Sequence, residues 1–115
     1  MAMTQTRLSG PAAVLTSSAG TYGGNQYTVP TSTSTIVKQI VLTNITASAQ
    51  TVTIAVKPTT ITLADTHIIF KDLSLTEKET TLLNMSLVLN ASDEIHMLCG
   101  TALAVNATVS GIEIT

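Results

Sequence analysis

An all-β fold, an antiparallel β-sandwich or jelly roll carrying an extended N-terminal arm, is the architecture this sequence predicts. Three observations predict it. Threonine dominates the polar residues, and Ile, Val, Leu and Ala make up most of the apolar ones. Thr, Val and Ile are β-branched and fit a pleated, half-buried surface better than a helix. Apolar residues alternate with a period of two in several segments, and no segment shows a convincing 3.6-residue period. Turn-forming residues interrupt the chain at short intervals and leave seven or eight short strand-like segments. With 115 residues there is room for one domain. A balance of 44% hydrophobic to 10% charged residues is that of a folded chain, not a disordered one.

Residues 1–25 stand apart from the rest. Thr16-Ser17-Ser18-Ala19-Gly20 and Gly23-Gly24-Asn25 are turn- and linker-like, and between them lie only scattered apolar residues: Leu8, Pro11, Val14, Leu15 and Tyr22. We expect an extended arm here and place the sandwich domain at 26–115. Two readings stand for the arm: a loose terminus, or a segment that becomes ordered on a neighbouring subunit.

Strand-like segments then follow quickly. Gln26–Val29 is short and stops at Pro30, which suits a strand end or edge. Thr35–Asn44 is the longest. Period two sets Ile36, Lys38, Ile40 and Leu42 on one face and Val37, Gln39, Val41 and Thr43 on the other, so both faces carry apolar residues and both are expected to be covered. A turn at Thr46–Ala49 leads to Thr51–Lys57, where Val52, Ile54 and Val56 point one way and Thr51, Thr53 and Ala55 the other. Ile61–Asp65 reads as a loop or short strand, and His67–Leu75 as a strand. Thr76-Glu77-Lys78-Glu79 is a charged hairpin tip. Thr80–Leu89 alternates again, with Leu83, Met85, Leu87 and Leu89 on one face, and Asn90–Asp93 forms a polar turn. Glu94–Cys99 and Leu103–Thr115 complete the domain. The last of these changes phase: Val105, Ala107 and Val109 are odd, Ile112 and Ile114 even. We expect a β-bulge near Ser110-Gly111, the alternative being that the end of the strand pairs with a different sheet or subunit.

Composition excludes several classes. A formal net charge of −2, from 5 Lys+Arg against 7 Asp+Glu, does not suit a nucleic-acid binder, which needs a basic stripe to displace counterions. Cys99 is the one cysteine, so no internal disulfide forms. The apolar runs are far shorter than the roughly 18–20 residues of a membrane-spanning helix. No apolar stretch of signal-peptide type follows residues 1–7, so a reducing cytoplasm is the expected place of synthesis. The scarcity of charge also suits a surface covered by neighbours in an assembly.

Chemistry-bearing constellations are scarce. There are two histidines, His67 and His96, no Gly-x-Ser-x-Gly elbow and no phosphate-binding loop. His96 and Cys99, three apart on a strand, point to opposite faces and cannot readily share an ion. Glu77 and Glu79 belong to a solvated turn. We therefore expect no enzyme, no cofactor and no metal. The four Asn-x-Ser/Thr sequons, at Asn44, Asn84, Asn90 and Asn106, are chance in so Thr-rich a chain.

The order of several segments resembles a set of small β-sandwich virion proteins of tailed bacteriophages. They are Arg7-Leu8-Ser9-Gly10-Pro11, Tyr27-Thr28-Val29-Pro30, the Ile36–Asn44 strand, Val52–Val56, Lys71-Asp72-Leu73-Ser74-Leu75, Leu87-Val88-Leu89 with its Asp93 turn, and Val109–Ile114. The resemblance covers residues 7–114. Two turns depart from it: Glu77-Lys78 replaces the usual Ala-Gly, and Ser92 the usual Gly. It implies no catalytic residues. It implies instead a non-enzymatic virion structural protein, a decoration or cement protein that binds the outer capsid shell as a small oligomer, with a trimer favoured. Its partner would be the major capsid protein or another virion protein, and its location the virion, assembled in the bacterial host cytoplasm. The expected contact residues are Leu8, Pro11, Val14, Leu15, Tyr22, Tyr27, Val37 and Val41. The alternatives are a tail or baseplate adaptor or fibre base, and a receptor- or glycan-binding module, which the lack of Trp disfavours.

Overall fold

A computed structural model describes residues 3–13, 24–101 and 104–115. Eight strands account for most of them: β1 (Met3–Ala13), β2 (Gly24–Thr28), β3 (Ser34–Asn44), β4 (Gln50–Lys57), β5 (Ile68–Leu75), β6 (Thr80–Leu89), β7 (Glu94–Cys99) and β8 (Val105–Ile114), with one 3-10 turn at Asp65–His67 before β5. The pairings β4–β5, β3–β6, β2–β7 and β1–β8 are nested, as in one long hairpin with its tip between β4 and β5. Rolling that hairpin adds the pairs β3–β8 and β4–β7. The result is two four-stranded antiparallel sheets, sheet I in the order β1-β8-β3-β6 and sheet II in the order β2-β7-β4-β5. This is the jelly-roll form of the β-sandwich.

The inner faces supply the core. Sheet I contributes Val37, Ile40, Leu42, Leu89, Val105, Ala107 and Val109, and sheet II contributes Tyr27, Val52, Ile54, Leu75, Ile95, Met97 and Cys99. Glu94–Cys99 alternates along its length, with Ile95, Met97 and Cys99 in and Glu94, His96 and Leu98 out, so His96 and Cys99 point to opposite faces.

Polar staples close the ends. Asn44, fully buried, donates from Nδ2 to the carbonyls of Ser48 (2.8 Å) and Thr76 (3.0 Å) and accepts at Oδ1 from the N–H (2.9 Å) and hydroxyl (2.7 Å) of Thr46. It ties the end of β3 to the β5–β6 hairpin. Asp93 accepts from the N–H groups of Asn90 (2.9 Å) and Thr59 (3.0 Å), fixing the β6–β7 turn.

Three expectations need correction. Residues 3–13 are not an arm apart from the domain. They form β1, an edge strand paired with β8 of the same chain, so the boundary at 25/26 falls inside the sandwich. Residues 14–23 of the expected arm, including Val14, Leu15 and Tyr22, lie outside the described residues, and Gly24 and Asn25 begin β2. The long strand β3 is not two-sided in the sense expected. Its register shifts between Val37 and Gln39 against both neighbours, so Thr35 and Val37 face inward before the shift and Ile40, Leu42 and Asn44 after it. The bulge predicted on the last strand sits on its neighbours. β8 runs without interruption, Gly111 turns inward, and the extra residues belong to β1 (between Arg7 and Ser9) and to β3. Ile112 and Ile114 are even-numbered because they face outward.

Candidate interaction face

The register shifts of β1, β3 and β6 lie close to one level: that of β3 is opposite Ser110-Gly111 of β8, that of β1 opposite Val109-Ser110, and that of β6 opposite the shift of β3. Bulges bend strands and raise their twist, and here they crease the outer face of sheet I. An open cleft of about 810 Å³ lies along the crease, lined by Gln5, Arg7, Lys38, Gln39, Asn84 and Ser110 among others. Lys38 Nζ donates to Ser86 Oγ (3.1 Å), and Gln39 Nε2 donates to Asn84 Oδ1 (3.0 Å). The register sets Arg7, Ser110, Gln39 and Asn84 side by side across all four strands as one polar strip.

Apolar rows flank that strip. On one side Ile112, Ile36 and Val88 are in register, with Met3 and Ile114 beyond them. On the other side Val41 is opposite Leu82. Ile36, Val41, Ile112 and Ile114 are half-buried, whereas Met3 (69% exposed), Val88 (65%) and Leu82 (56%) are open to solvent. Isolated apolar residues on a surface need no explanation, whereas these are aligned in rows on one sheet face, which makes that face the candidate contact surface.

The charges are segregated. Arg7 and Lys38 are on this sheet, whose strands contain a single acid, Glu113. That carboxylate is engaged at the sandwich end, where its Oε2 accepts from Tyr27 Oη at 2.7 Å. The other acids lie in sheet II and the loops. The face therefore presents cations and amides between apolar rows, which suits a partner surface carrying carboxylates or carbonyls among apolar contacts.

Of the residues expected to make contacts, Val41 is on this face. Leu8 packs against the core, and Pro11 lies in β1. Val37 and Tyr27 are buried, which corrects their assignment as contact residues. Val37 is turned inward by the β3 bulge. Tyr27 crosses from sheet II, and its hydroxyl meets Thr35 Oγ1 (2.9 Å) and Glu113, both on sheet I. Burial, with the Glu113 carboxylate beside it, pushes its pKa up to about 12. Sequence reasoning missed Ile36, Leu82, Val88 and Arg7. The signal for Ile36 was the consecutive polar pair Lys38-Gln39, which breaks the alternation of β3; that for Leu82 and Val88 was the alternation of Thr80–Leu89, which puts them on the face away from Leu83, Met85 and Leu87.

The titratable groups are placed for local structure. His67 Nδ1 accepts from the Ala64 N–H (3.0 Å), and His96 Nε2 meets Glu94 Oε1 (2.8 Å) on the outside of sheet II. Cys99 faces inward, with Sγ donating to the Thr101 carbonyl (2.9 Å), and burial pushes its thiol pKa up. Among the described residues no group of three or more His, Cys, Asp or Glu comes together as a metal-binding set, and no helix is long and apolar enough to cross a membrane. Comparison of the chain with protein-family models, with curated proteins and with solved structures returns no match.

Proposed function

We propose that this is a non-enzymatic virion structural protein of a tailed bacteriophage, a decoration protein that binds the outer capsid shell as a small oligomer. The observation that carries the proposal is the outer face of sheet I: a cationic and amide strip between two apolar rows, on a rigid jelly roll. A cement protein works by burying area across subunit boundaries. At about 25 cal/mol per Å² of apolar surface, modest contacts repeated over a lattice become a large total. The jelly-roll topology and an order of sequence segments that resembles that of small phage virion proteins support the same reading.

The test is the copy number of the chain in purified particles, by quantitative mass spectrometry against the major capsid protein. A ratio near that of the shell protein supports decoration. A ratio far below it assigns the chain to the tail or baseplate, and absence from particles overturns the proposal. Val41→Asp tests the face itself. Val41 is half-buried on the outer side, so the variant is expected to fold and to lose at least about tenfold in particle affinity, corresponding to roughly 1.4 kcal/mol. Undiminished attachment would remove the face from the interface.

A further inference from the structure

A sandwich has four sheet edges, and edges are pairing hazards that folded proteins blunt with bulges, charges, proline or short length. Three of the four are blunted here. β1 has two register shifts and contains Gly10-Pro11. β2 is five residues long and also shifted. β5 has two shifts, Lys71, and Asp72 at a positive φ of 50°.

β6 differs. It has one register shift of its own, where Asn84–Leu87 stands opposite Val37–Gln39 of β3, but it is ten residues long, Thr-Thr-Leu-Leu-Asn-Met-Ser-Leu-Val-Leu, with no charge, no proline and no glycine. Its exposure alternates regularly along the whole strand, and no strand among the described residues pairs with its outer edge. About half of its N–H and C=O groups therefore point away from β3 over a length of roughly 34 Å.

The side of the sandwich below this edge is also unfinished. Leu83, Met85 and Leu87 of β6, with Phe70 and Leu73 of β5, pack against the core but stay half-buried, whereas Val37, Ile40 and Leu42 on the adjacent β3 are fully buried.

We propose that β6 pairs antiparallel with β6 of a second copy of this chain about a two-fold axis at Met85, joining two copies of sheet I into one eight-stranded sheet. The strand is complementary to itself in that register. Met85 faces its own counterpart. Leu83 of one copy faces Leu87 of the other on the core side. Leu82 faces Val88 on the outer side, which covers the two exposed apolar residues of the strand. Asn84 faces Ser86, so no charge on β6 needs desolvation. Other registers leave Leu82 or Val88 opposite a polar residue or unpaired. The creases of the two copies then lie on one continuous face. The inference stands on the edge alone and does not require the virion reading.

The test uses the purified full chain. Light scattering coupled to size exclusion is expected to show a dimer or another even-numbered assembly. In a Cys99→Ala background, Met85→Cys is expected to cross-link two copies on mild oxidation. Thr81→Cys, which pairing sets about 27 Å from its counterpart, is not. Leu82→Lys, on an exposed position, is expected to raise the dissociation constant at least about tenfold while the far-ultraviolet spectrum stays native. A monomer at all concentrations, a trimer, or an assembly that survives Leu82→Lys and fails to cross-link at 85 overturns the proposal. Particle copy number is read separately, so failure of the pairing and failure of the virion reading are distinguishable.

Discussion

Gly111 is where β8 comes closest to β3, and replacing it with alanine tests the creased register directly. A Cβ at this position would overlap the Ile36 carbonyl oxygen and lie 3.1 Å from both Ile36 C and Val37 Cα. All three are backbone atoms of a central strand, so no side chain can swing aside. Relieving the overlap needs β3 and β8 to part by about 1 Å, enough to break two ladder hydrogen bonds near the Val37–Gly111 pair. At about 1 kcal/mol net for each bond, plus about 1–3 kcal/mol of overpacking, the cost is about 3–5 kcal/mol. Removing a glycine from the unfolded chain returns about 0.5–1 kcal/mol, which leaves a net loss of about 2–4 kcal/mol. Urea unfolding followed by circular dichroism is expected to show that loss as a lower midpoint with an unchanged slope. Gly100→Ala is the control, because its added Cβ would meet only Thr51 Oγ1 at 3.6 Å and Gln50 Oε1 at 3.7 Å. It should stay within about 0.5 kcal/mol of the parent. A loss below about 0.5 kcal/mol for Gly111→Ala, with a native β spectrum, would refute the close approach.

Asn44→Ala should cost about 2–4 kcal/mol in the same assay, because the Ser48 and Thr76 carbonyls and the Thr46 N–H lose their buried partner. Lys78 holds a φ of 56° at the β5–β6 hairpin, a left-handed conformation that costs a side-chain-bearing residue about 1–2 kcal/mol. Less the entropy glycine adds to the unfolded chain, Lys78→Gly should stabilise by about 0.5–1 kcal/mol, read as a higher melting temperature. Tyr27 has its pKa raised from 10.0 to about 12 by burial, so the folded state holds its proton where the unfolded state has lost it. The Tyr27 contribution to stability is therefore complete below pH 10 and is lost as pH rises from 10 to 12. A pH series of melting temperatures should fall more steeply over that interval for the parent than for Tyr27→Phe.

Most of the fold was legible because it is written locally. The core positions Val52 and Ile54 of β4, the hairpin at Thr76–Glu79 and the turn at Asn90–Asp93 each follow from a few adjacent residues. The two turns whose sequences depart from the resemblance hold Lys78 and Ser92 at positive φ, 56° and 69°. What was not legible is non-local. β1 is a strand because β8, about a hundred residues away, offers an edge to it, and its Gly and Pro content gives no local sign of that. Tyr27 sits beside a polar, turn-rich stretch, and only the packing of sheet II on sheet I buries it. The β3 error has a different cause. Strict period two does not hold over Ile36–Thr43, because Lys38-Gln39 breaks it. A phase change on one strand can arise from an extra residue on its partner, and β8 was assigned an irregularity that belongs to β1 and β3.

That bulge also decides what the outer face can bind. With strict alternation, apolar side chains would be spread along both faces of β3, and no polar strip would divide the outer one. The extra residue turns Val37, Ile40 and Leu42 inward together and leaves Ile36 and Val41 outward, on either side of Lys38 and Gln39. Five residues at about 3.4 Å each, shortened by the bulge, set those two apolar positions about 15 Å apart along the strand. A partner surface must therefore offer two apolar contacts at about that spacing with hydrogen-bond acceptors between them. Charge alone would not satisfy the flanks, and an unbroken apolar surface would desolvate the Lys38 ammonium and the Gln39 and Asn84 amides while leaving only the Lys38–Ser86 and Gln39–Asn84 hydrogen bonds to offset it, at a cost above about 1 kcal/mol for each group left underbonded. The bulge that holds Gly111 against β3 is thus also the element that makes this face selective.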